Sequence, residues 1–135
     1  MDQARGTAPI SRPRSLMCAF WRPAPGRHNI AEIALHHAYC IRAVRSQLSG
    51  VAPEPFVREG DDWFELENEQ AMRWAEVQST VESEQSRLAA LVAQIEGGVS
   101  SPLADADRFN LELGITCHAI YHAGQIQLIK RLHVE

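Results

Sequence analysis

Cysteine is scarce in this 135-residue chain, and its three cysteines, Cys18, Cys40 and Cys117, are scattered with no Cys-x-x-Cys pair. An odd, dispersed set gives no disulfide framework and points to reduced thiols and a cytoplasmic location. No apolar run approaches the roughly 20 residues that span a bilayer, so no membrane association is expected. The arginine-bearing N-terminus has no apolar segment behind it, and no secretory signal is read there. No stretch alternates apolar and polar residues with period two over a useful length, which argues against a sheet. Gly-rich phosphate loops and Gly-x-Ser-x-Gly contexts are also missing.

What is present describes a folded, soluble domain. Hydrophobic residues make up 45% of the chain and the net charge is −4, values outside the disordered class. The length suits one domain. Charge is segregated: residues 1–27 carry five arginines against one aspartate, and residues 51–96 carry eleven acidic residues against three arginines. The basic end lacks interleaved aromatics and the acidic middle repels polyanions, so no nucleic-acid partner is expected.

Residues 1–28 contain four prolines and no sustained periodicity, and read as irregular tail and loop. The pattern changes at Asn29. With Glu32 three positions later it fits a capping box, followed by an apolar stripe through Ile30, Ile33, Ala34, Ile41, Val44 and Leu48 and a stop at Gly50. A second helix is expected from about Leu66 to Glu96, with a seam of Trp74, Val77, Val81, Glu84, Leu88, Leu91 and Ile95 spaced by threes and fours. Glu84 occupies an apolar position of that seam; a locally wet seam is the expectation, a buried partner the alternative. After Ser-Ser-Pro, with Ser101, Asp105 or Asp107 as caps, a third helix continues almost to the end. Residues 29–135 are therefore expected to form an all-α antiparallel bundle of three long helices.

Two histidines stand out in the last helix. At about 100° per residue, Leu111, Ile115, His122, Ile126 and Ile129 all fall within roughly 80° of His118, so both imidazoles lie within the apolar face. A buried imidazole without a partner costs about 1–3 kcal/mol, and two separated by one turn can share one partner. A divalent metal is a natural common partner for neutral imidazole nitrogens. The bland alternative is a pair of core histidines bonded to carbonyls or to each other. The adjacent His36 and His37 of the first helix offer a third ligand, but neighbouring side chains diverge by about 100°, so only one joins. Periodicity favours His37, His36 lies on the flank in line with Glu32 and Cys40, and the residue pattern leaves the choice open. "HAIYH" lacks the Glu of a zinc-protease HExxH, and no helix carries the Glu-x-x-His of di-iron carboxylate bundles.

The segments "PGRHNIAEIALHHAYCIRAVRSQLSG" and "GITCHAIYHAGQIQLIKRL" together resemble the DinB-like superfamily of four-helix-bundle metalloproteins, over roughly residues 21–133. The resemblance implies His36, His118 and His122 as metal ligands, with Zn²⁺ or Ni²⁺ as the metal and Gln125 as a hydrogen-bonding support. It also implies a helix ahead of the Trp21 loop, which these first 20 residues do not supply in recognisable form. That leaves one flank of the bundle open to the tail or to a second subunit, so a homodimer is an expectation. Cys40 is placed as a pocket-lining thiol or a fourth ligand. Three imidazoles leave a metal with an open position. The implied activity is transfer of a low-molecular-weight thiol to an electrophilic substrate, with no catalytic residue assigned; the alternative is a non-catalytic metal-binding bundle that associates with itself or a protein partner.

Overall fold

The computed structural model describes residues 14–133 as an all-α helical bundle, with α1 at Arg14–Ala19, α2 at Ile30–Ser49, α3 at Trp74–Glu96 and α4 at Asp105–Leu132. No helix among these residues is long and apolar enough to cross a membrane.

The central element is α2. Its first turn is closed by the capping box: Asn29 Oδ1 accepts from Glu32 N–H at 2.9 Å, and Glu32 Oε1 accepts from Asn29 N–H at 3.1 Å. The box is also a tertiary clamp. Arg22 donates to both oxygens of Glu32 at 2.6 and 2.9 Å, Leu66 N–H donates to Glu32 Oε2 at 2.9 Å, and Asn29 Nδ2 donates to Leu66 O at 2.7 Å. Burial pushes the Glu32 carboxyl upward, but the bonds from Arg22, Leu66 and Asn29 outweigh it and hold the group below the usual carboxylate range. At its other end Gly50 adopts φ 72°, and its N–H returns to Ser46 O. A Cβ there would stand 2.9 Å from Pro102 Cγ, so glycine fits both the left-handed turn and the close approach of the α3–α4 connection.

Three apolar clusters surround α2. Ile30 and Ile33 pack with Cys18 of α1 and Ile129 of α4. Ala31 and Leu35 pack with Phe64, Leu66, Met72 and Val77. Val44 and Leu48 meet Ile95, with Leu88, Leu91, Leu111 and Ile115 around them. The other two long helices thus lie on α2, and between them runs a groove of about 570 Å³ lined by Leu88, Val92, Ile115 and Ala119, with His37 and Ile41 on its α2 side.

Four expectations need correction. Residues 14–19 are helical, where residues 1–28 read as irregular; burial of Cys18 and Ala19 against α2 holds this short turn in place, while residues 1–13 lie outside the described residues. The second long helix starts at Trp74, not near Leu66, because the backbone N–H and C=O of Leu66 are taken by Glu32 and Asn29 and Asn68 turns the chain back through bonds to Gln70 and Ala71. Neither Ser101, Asp105 nor Asp107 caps α4: Ala104 holds that position, and the Ser101 hydroxyl instead donates to Leu48 O at 2.6 Å. The seam is not wet at Glu84, which is 6% exposed and paired with Arg45 at 3.3 Å and Arg87 at 3.7 Å.

Candidate metal centre

The candidate ligand set comes from two helices. α4 carries His118 and His122 one turn apart on its inward face, and α2 presents His36 opposite them. Ligand nitrogens of His36, His118 and His122 all lie within 4.8 Å of one another, and His36 and His122 are buried. The loop from Gly60 to Phe64 closes the site. Asp62 sits at φ 67°, a left-handed conformation that Asp adopts more readily than most residues and that still costs of order 1 kcal/mol. That turn delivers Asp62 O at 2.9 Å and Asp62 Oδ1 at 3.0 Å to His36 Nδ1. The next residue, Trp63, lays its indole between two imidazoles, with ring centroids 3.8 Å from His28 and 3.9 Å from His36 and planes within 5° of parallel.

The hydrogen bonds fix the tautomers that matter for ligation. Asp62 O can only accept, so His36 carries its proton on Nδ1 and leaves Nε2 with a lone pair. His122 Nδ1 faces Gln125 Oε1 at 2.6 Å, and Gln125 Nε2 donates to Tyr121 OH at 3.2 Å; His122 therefore also keeps its proton on Nδ1 and its lone pair on Nε2. That lone pair accepts from His118 Nε2–H at 3.0 Å, and His118 Nδ1 accepts from His37 Nδ1–H at 3.0 Å. The donor set suits a divalent ion. A 3.0 Å separation of His118 Nε2 and His122 Nε2 is spanned by two bonds of about 2.0–2.1 Å meeting at roughly a right angle. When His118 offers its Nε2 lone pair, its proton moves to Nδ1 and His37 becomes the acceptor.

Burial favours the neutral ring at His37, His118 and His122. Burial lowers the pKa of His118 and His122, and neighbouring imidazoles add to the effect at both. His37 is pushed down to about 4, first by burial and then by His118, His122 and His36. Cys40 lies beside the site, with Sγ 3.7 Å from His36 Nε2 and 3.8 Å from Asp62 Oδ1. Burial and the Asp62 carboxylate push this thiol up to about 11, so on its own it is not a ready thiolate. His36, Cys40 and Asp62 form a second ligand grouping that shares His36 with the first.

His36, rather than the His37 favoured by periodicity, is thus the α2 histidine grouped with His118 and His122, while His37 faces the other nitrogen of His118. Gln125 supports His122 directly. Sequence reasoning missed Asp62, Trp63 and His28. The acidic Gly-Asp-Asp-Trp turn marks a loop, but nothing local says that it folds over His36. Comparison of the chain with protein-family models, with curated proteins and with solved structures gave no match.

Proposed function

We propose that this chain is a DinB-like divalent-metal protein in which His36, His118 and His122 hold Zn²⁺ or Ni²⁺ through Nε2, and that it transfers a low-molecular-weight thiol to an electrophilic carbon. The observation that carries the reading is the pair of committed protons: His36 Nδ1–H bonds Asp62 O and His122 Nδ1–H bonds Gln125 Oε1, which aims two lone pairs into one pocket beside His118. Bound there, the metal would act as a Lewis acid that favours the thiolate form of the incoming thiol. The protein's own part is to hold three imidazoles, to fix their orientation through Asp62, Gln125 and His37, and to offer an apolar groove at the His37 side for the electrophile. In the transfer the thiol gives its proton to solvent, a sulfur–carbon bond forms, the carbon's bond to the leaving group breaks, and that group departs with the electron pair.

The 3.7 Å approach of Cys40 to His36 Nε2 supports a second reading, a non-catalytic centre whose fourth position is closed by the Cys40 sulfur. Elemental analysis of protein purified without a histidine tag tests the metal first. About one equivalent in the wild type, lost in His122→Ala, is the expected result; metal-free folded protein after incubation with zinc and nickel overturns both readings. Metal-loaded protein is then assayed for loss of free thiol in the presence of an alkyl or aryl halide. Turnover that disappears in His122→Ala supports the transferase. Inactivity in the wild type, with turnover gained in Cys40→Ala, supports the closed centre.

A further inference from the structure

α4 is apolar on two faces. One face holds His122 and Ile129 against the bundle. The other leaves Phe109, Leu113, Ile120, Tyr121, Leu128 and Leu132 exposed, six of the ten large exposed hydrophobic residues among those described. At about 100° per residue these six span roughly 140° of the helix, opposite the buried stripe. A helix that is apolar all round is normally covered on both sides.

We infer that this outward face is covered by α4 of a second copy, packed antiparallel about a two-fold axis between Ile120 and Tyr121. The stripe is symmetric about that point: Phe109 matches Leu132, Leu113 matches Leu128, Cys117 matches Gly124 and Ile120 matches Tyr121. An antiparallel copy sets each of these positions against its match, so that the same residues meet from both sides in an isologous interface. Charge agrees with the direction. Asp105 and Asp107 stand in the first turn and Lys130 and Arg131 in the last, so antiparallel pairing sets each acidic end beside a basic one and opposes the two helix dipoles. Spacing dominated by four-residue steps drifts round the helix, so the two helices cross at an angle. The exposed Cys117 and the side-chain-free Gly124, where an added Cβ would meet nothing within 4 Å, fall near the crossing where close approach is needed. The pairing also covers Tyr121, whose hydroxyl accepts from Gln125 at the outer end of the histidine chain.

Sedimentation equilibrium on the full chain tests the inference independently of metal binding, with and without chelator. A dimer is expected in both conditions. Ile120→Glu is expected to weaken it by roughly 30-fold or more, with helical circular dichroism unchanged because Ile120 is 69% exposed in the single chain. Register is read by oxidising Gly124→Cys: a covalent dimer joined through Cys117 of one copy and position 124 of the other is expected by peptide mapping, with no such link from Asn110→Cys. A monomer at all concentrations, a dimer untouched by Ile120→Glu, or a link between the two Cys117 residues overturns it.

Discussion

The imidazole of His36 lies face to face with the indole of Trp63, with ring centroids 3.9 Å apart and planes 4° from parallel, while its Nδ1–H is held by Asp62 O. One turn of loop thereby fixes both the plane and the tautomer of an α2 side chain. Removing the stack frees the ring to rotate without removing any ligand. Trp63→Ala is expected to weaken zinc binding by about 10-fold, the lower end of the cost for lost supporting contacts, and Trp63→Phe by less. Titration against a competing chelator measures it; an unchanged affinity for Trp63→Ala shows that Asp62 alone orients His36.

Gln125 does the corresponding work for His122, accepting from Nδ1 at 2.6 Å. Gln125→Leu keeps the size of the side chain and removes the acceptor. A loss of about 10- to 100-fold in metal affinity is expected, whereas Gln125→Glu, which still accepts, should retain most of it. Equal losses in both variants mean that the site depends on the amide's donation to Tyr121 instead.

The histidine cluster makes the metal-free protein acid-sensitive. His37 is lowered from 6.5 to about 4 by burial and then by its histidine neighbours, and His118 and His122 shift the same way. As pH falls below 6.5 the unfolded chain takes up protons that the folded chain refuses. The unfolded state then binds more protons, so stability is lost from about pH 6.5 downward. Thermal unfolding in chelator is expected to show Tm falling by roughly 5 °C or more between about pH 7 and pH 4.5, with a shallower fall in His37→Phe. A flat Tm profile in the wild type contradicts the neutral cluster.

Midway along α3, Arg45 of α2 bridges buried Glu84 at 3.3 Å and exposed Glu54 at 2.7 Å, and Arg87 joins both acids from the rim. Truncating the arginine leaves a buried carboxylate with only the half-exposed Arg87, 3.7 Å away, as its cation. Arg45→Met is expected to cost about 3 kcal/mol. Glu84→Leu, which restores the apolar seam, is expected to cost less than about 1 kcal/mol. Urea denaturation of the two variants decides it: equal costs show that packing, not charge, sets the stability there.

Local order was legible along the chain, and long-range approach was not. Asn29, Glu32 and Gly50 announced both ends of α2 because capping is settled within four residues. The seam from Val77 to Ile95, and the shared face of His118 and His122, followed from helical spacing alone. The choice between His36 and His37 did not: both lie near the α2 stripe, and only the approach of α4, some eighty residues away, sets which ring meets His118 and His122 and which faces the far nitrogen of His118. The irregular path of residues 66–73 has the same origin, since apolar spacing there looks helical while Glu32 and Asn29 capture the backbone of Leu66. So has the closure by Asp62 and Trp63, whose sequence marks a turn and not its destination. The sequence by itself determined three long helices and placed two imidazoles on one face, because these depend on contacts within a turn or two of the chain. Tertiary structure decided which third imidazole joins them, what fixes their tautomers and which apolar face of α4 stays uncovered, because these depend on how distant segments meet.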